Sequence, residues 1–159
     1  MRIFFLIFLL AYVGGNVYIF IRTLQMLSGF SLAMKILLSA IYWLVAFSLV
    51  IAMLTRHIDM PVILSKSMFH IGSVWLVFTL YMIFALLIAD VTKIFVPSLN
   101  HGFYYALGAT CCLLLYGYYN YRHPQVNKID VSLDKPIEGN GINIVAVSDV
   151  HLGYGTGKA

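Results

Sequence analysis

Up to Arg122 the chain alternates between long apolar runs and short polar breaks. The runs are Ile3 to Ile21, Ile36 to Leu54, Ile71 to Ala89 and Phe103 to Tyr119. Each approaches the roughly 20 residues that a helix needs to cross a bilayer core. None has the polar stripe of a helix lying on a soluble core. The pattern predicts four transmembrane helices joined by short connections around Ser28-Gly29, around Asp59 and Pro61, and around Pro97 and Asn100. Short connections make consecutive helices antiparallel neighbours, so the expected arrangement is an up-down four-helix bundle.

Past Arg122 the pattern changes. Pro124 disfavours helix at His123, so the fourth helix should end there. Ile129-Asp130-Val131-Ser132-Leu133-Asp134 alternates apolar and polar positions, as a half-buried strand does. Lys135-Pro136 closes it, and Glu138-Gly139-Asn140-Gly141 has the composition of a turn. Ile142 to Val147 is then almost continuously apolar and rich in β-branched residues, which predicts a strand buried on both faces. The chain thus divides into 1–122, a helical membrane anchor, and 123–159, the start of an α/β domain too short to bury a core of its own.

Composition agrees with the anchor. Hydrophobic residues make up 62% of the 159 residues and charged residues 10%, against about 25% charged in soluble domains. The net charge of +4 is spread without a basic run or helix face, so it is no nucleic-acid signal. With the N-terminus inside, Arg2, Arg56, Lys66, Arg122, Lys128 and Lys135 fall on the cytoplasmic side, against Arg22, Lys35 and Lys93 outside. Six against three predicts a multi-pass protein of the cell membrane with both termini in the cytoplasm. The first run continues through Gly14-Gly15-Asn16 to Ile21, which is long for a cleaved signal peptide, and reads as an uncleaved anchor. The Gly-Gly-Asn break is expected to kink that helix or to let a neighbour approach closely.

The runs carry little chemistry. Asn16 reads as interhelical glue. Asp90 lies at the end of the third run, where a carboxylate reaches water, and His57, His70, His101 and His123 lie in loops or at run ends. Cys111 and Cys112, adjacent on one helix, point about 100° apart and are poorly placed to bridge. A transporter would need more polar groups at mid-membrane.

The chemistry is expected in the last segment. Asp149 and His151 follow directly on the buried-strand pattern, at the carboxyl end of the strand, where ligands bind in open α/β sheets. Extended residues i and i+2 project to one side, so a carboxylate and an imidazole can meet on one ion, and such mixed oxygen and nitrogen ligands suit Mn, Fe or Zn. Gly153 and Gly155 let the backbone turn close to a bound group. By spacing alone, capping of backbone groups in a strand-to-loop turn is the commoner role for such a pair.

Ile144-Val145-Ala146-Val147-Ser148-Asp149-Val150-His151-Leu152-Gly153 resembles the opening motif of the calcineurin-like metallophosphoesterases, and the stretch from Pro124 resembles their membrane-anchored bacterial members. The resemblance implies an αββα sandwich, of which this chain holds only the first strands. It implies that Asp149 and His151 are ligands of the first of two divalent metal ions, with a second ion bridged by a later Asp. The implied activity is hydrolysis of a phosphoester by a metal-activated water, with two cations about 3.5–4 Å apart clamping the phosphoryl oxygens. The family's further motifs, Gly-Asp-x-x-Asp and Gly-Asn-His, do not occur before Ala159. The expectation is therefore an N-terminal part of such an enzyme, inactive alone, with the bilayer as partner and a phosphoester substrate that anchoring would place near lipids. The rival expectation is a non-enzymatic four-helix membrane scaffold with a short cytoplasmic tail.

Overall fold

A computed structural model describes residues 2–55, 58, 60–123 and 129. They form four helices: α1 (Arg2–Met26), α2 (Leu32–Leu54), α3 (Val62–Phe95) and α4 (Gly102–Arg122). Among the described residues there is no strand. The strands expected over Ile129–Asp134 and Ile142–Val147 lie outside them except for Ile129, which is exposed and belongs to no helix or strand.

α1, α2 and α3 are each long and apolar enough to cross a membrane. α4 has 21 residues, about 31 Å of helix, but its many tyrosines and glycines make it less apolar. The surface has the inverted character of a bundle built for lipid. Large apolar side chains such as Phe4, Leu10, Leu44, Val74, Ile88 and Leu115 face outward, while Asn16, Ser48, Thr79, Thr110 and small alanines are buried. In a bilayer, helices associate through small residues and hydrogen bonds, because apolar surface gains nothing by leaving lipid.

The helices exceed the apolar runs. Helical hydrogen bonding continues into polar flanks until something interrupts it, and for α3 the interruptions are prolines. Pro61 precedes its first residue, and Val96, just before Pro97, has left helical geometry at φ −125° and ψ 80°, as the residue before a proline tends to do. The segments expected as loops from Thr55 to His70 and from Asp90 to Gly102 are therefore largely helix at their α3 ends. With 34 residues, α3 is about 51 Å long, well beyond a hydrocarbon core of about 30 Å. α2 starts at a cap, with the Ser31 hydroxyl accepting from the Met34 amide at 3.4 Å. α4 ends at Arg122, where Pro124 predicts.

The packing departs from a simple ring of neighbours. α3 packs against each of the other three helices, and α1 rests more on α3 than on its chain neighbour α2. Aromatic rings stand between α1 and α2. Phe20 lies 5.1 Å from Tyr42 and 5.4 Å from Trp43, centroid to centroid, and such bulk keeps the two backbones apart.

Glycine sets the close approaches. α1 runs as one helix through Gly14-Gly15-Asn16, and at Gly15 a neighbour approaches closely. A Cβ there would meet the mobile end of Ile83, whereas at Gly72 it would fall on the backbone of Leu49 in α2. Gly72→Ala should therefore cost about 1–3 kcal/mol of bundle stability, and Gly15→Ala less. Thermal unfolding of both variants in the same detergent checks the order.

Candidate functional site

Asp149 and His151, the candidate metal ligands of the sequence, lie outside the described residues. Among the described residues no group of three or more His, Cys, Asp or Glu could hold a metal ion. What the structure brings together is a polar seam between α1, α2 and α3, in two clusters.

The first is centred on Asn16, which is 1% exposed. Its Nδ2 donates to the Tyr12 carbonyl one turn earlier at 2.9 Å. Its Oδ1 accepts from Trp75 Nε1 of α3 at 2.9 Å and from the Tyr42 hydroxyl of α2 at 3.2 Å. Thr79 Oγ1 of α3 donates to it from 3.5 Å. The Tyr42 hydroxyl is shared with the Asn16 main-chain oxygen at 2.9 Å, and the Tyr12 hydroxyl donates to the Ala46 carbonyl at 2.6 Å. One amide thus joins three helices. It fits there because Gly15 lets α3 approach, and because residues 12, 16 and 19 share a face of α1 at helical spacing. This is the role expected of Asn16 from its isolation in an apolar run. Its donors were not foreseeable, since tyrosine, tryptophan and threonine are common in membrane helices and only the register selects these three.

The second cluster lies two turns further along the parallel pair α1 and α3. Arg22 forms an ion pair with Asp90, and the Tyr18 hydroxyl donates to the other carboxylate oxygen at 2.6 Å. Arg22 Nε is buried without a partner among the described residues. Asp90 was expected as a solvated carboxylate at a helix end. It is half-buried and paired instead, because α1 and α3 run in the same direction and bring both charges to one end of the bundle. The side chains keep 28% and 37% of their exposure, so solvent screening limits the pair to about 1 kcal/mol. Asp90→Ala should lower stability by about that amount, and less in high salt, as unfolding at two ionic strengths would read.

The remaining candidates are scattered. Cys111 and Cys112 are free and exposed on α4, in line with their poor geometry for a bridge. His101 precedes α4, His70 lies in α3, and His123 Nδ1 lies 2.8 Å from the Tyr119 carbonyl. His57 lies outside the described residues. The described bundle therefore brings together groups suited to holding helices in register.

No family model, curated protein or solved structure matches the chain.

Proposed function

We propose that this chain is the membrane-anchoring N-terminal part of a metal-dependent phosphoesterase. The observation that carries the proposal is the sequence Asp149-Val150-His151 placed directly after the buried-strand pattern Ile142 to Val147. In this reading all four helices cross the cell membrane, with α4 as the last pass. Both termini are cytoplasmic, and residues 123–159 open an αββα sandwich at the membrane surface. Asp149 and His151 bind one of two divalent ions, Mn, Fe or Zn. Such ions, when bound, would supply an acidified water and charge neutralisation for a phosphoryl group. The carboxylate and imidazole fit such an ion by donor type.

The coding sequence beyond codon 159 tests this directly. The reading expects some two hundred further residues (a typical domain's length) with Gly-Asp-x-x-Asp and Gly-Asn-His motifs. A stop codon with no such motifs beyond it would leave the helical bundle as a membrane scaffold and end the proposal. A reporter fused after Arg122 tests the orientation: it should be active only in its cytoplasmic form, and activity only in its external form would reverse the topology.

A further inference from the structure

A groove of about 430 Å³ runs along the bundle between α2, α3 and α4, lined by Val45, His70, Val74, Trp75, Phe78 and Leu114 among others. Two contacts fix its level. Thr110 of α4 donates to the Met82 sulfur at 3.7 Å, and a Cβ on Gly102 would lie 3.3 Å from that of Ala89. The antiparallel register that these define puts Arg122, the last residue of α4, level with His70. The His70 end of the groove therefore opens on the membrane face from which residues 123–159 leave, whichever face that is.

Both ends of the bundle carry cations, Arg22, Lys35 and Lys93 at the far end and Lys66 and Arg122 at the near one, and they differ in the carboxylate. Asp90, the one carboxylate among the described residues, is at the far end and is paired with Arg22. At the near end Lys66 and Arg122 are exposed, together with His70 and His123. Lys66 is one helical turn from His70 on the same face of α3. From His70 to Phe78 the groove spans about 12 Å of helix, close to the ~15 Å depth of one leaflet's hydrocarbon. Its wall is apolar, with His70 at the mouth.

We propose that this groove binds a lipid bearing a phosphate headgroup, with one hydrocarbon chain along Val74, Trp75 and Phe78 and the phosphate at Lys66, His70 and Arg122. Basic pockets between membrane helices recognise anionic lipid headgroups in this way. Resting on the phosphoesterase reading, the inference also names the substrate class: a lipid-linked phosphoester, held on the membrane face where the Asp149–His151 segment emerges.

Trp75 makes binding readable without turnover. The full chain carrying Trp43→Phe, so that Trp75 alone emits, is placed in phosphatidylcholine nanodiscs. Chain-brominated phosphatidic acid or chain-brominated phosphatidylcholine is then added at equal mole fraction. Phosphatidic acid should quench at roughly fivefold lower mole fraction, as one to two basic side chains near a membrane would give. Val74→Phe, which fills the groove, should remove the difference. Lys66→Gln with His70→Gln should make the two lipids equal while quenching persists. Ser39→Phe fills the neighbouring groove between α1 and α2, whose lining also includes Trp75, and should keep the preference, which assigns the quenching to the groove between α2, α3 and α4 and controls for damage to the fold by an added ring. Equal quenching by the two lipids in the starting protein would overturn the inference. So would a preference that survives Val74→Phe, since the hydrocarbon chain would then not lie in the groove. Hydrolysis of a water-soluble phosphodiester tests the enzyme separately, so a failed groove and a failed phosphoesterase give different results.

Discussion

Asn16→Leu should lower the stability of the helical bundle by about 2 kcal/mol. The substitution puts an apolar side chain of similar size in α1 and removes the acceptor shared by Trp75, Tyr42 and Thr79. Single interhelical hydrogen bonds in a bilayer are worth about 0.6 kcal/mol on average. Buried donors left without an acceptor add to that, at about 1–3 kcal/mol each in the worst case. Tyr42 softens the loss, because its hydroxyl also reaches the Asn16 main-chain oxygen, which the substitution keeps. Reversible unfolding in detergent micelles measures the effect. Asn16→Asp should be worse than Asn16→Leu, since a carboxylate at that depth must be either charged in hydrocarbon or protonated. A variant as stable as the starting protein would show that the node is incidental to the packing.

Asp149→Ala, made in the protein expressed from its full reading frame, should reduce metal-dependent phosphodiester hydrolysis by roughly a thousandfold. That factor corresponds to about 4 kcal/mol, within the several kcal/mol by which a metal ion stabilises charge in a phosphoryl-transfer transition state. His151→Ala should act in the same direction. Neither change should affect the unfolding of the helices, because the two residues are separated from Arg122 by a segment of different character. The kcat of both variants on bis(4-nitrophenyl) phosphate, beside their thermal unfolding, separates lost chemistry from lost fold.

The helices and their order are legible in the sequence because lipid imposes so strong a demand on composition. The apolar runs of α1, α2 and α3 are each long enough to cross a membrane, and Pro124 marks where α4 stops. The ends of α3 were less legible. Hydropathy marks only the part of a helix that sits in hydrocarbon, while Pro61 and Pro97 mark where hydrogen bonding can begin and end. Reading those prolines as bounds would have placed Val62–Phe95 nearly right.

Packing was not legible. Loop length says that α1 is tethered to α2, and it does not say that Phe20, Tyr42 and Trp43 hold the two apart. The pairing of Arg22 with Asp90 spans 68 positions and depends on α1 lying against α3, which periodicity in uniformly apolar helices does not encode. Asn16 stood out because it was alone, whereas its donors were hidden among many similar residues. The metal-site reading has another origin. It comes from a short motif whose meaning depends on the strand pattern before it, and it concerns residues separate from those that build the bundle.

The most direct measurement is the metal dependence of hydrolysis by the purified full-reading-frame protein. After stripping with EDTA it should be inactive on bis(4-nitrophenyl) phosphate and should regain activity when Mn is returned. The variant carrying both Asp149→Ala and His151→Ala should not. Hydrolysis that survives stripping, or that returns undiminished in the double variant, would contradict the assignment of these two residues to a catalytic metal.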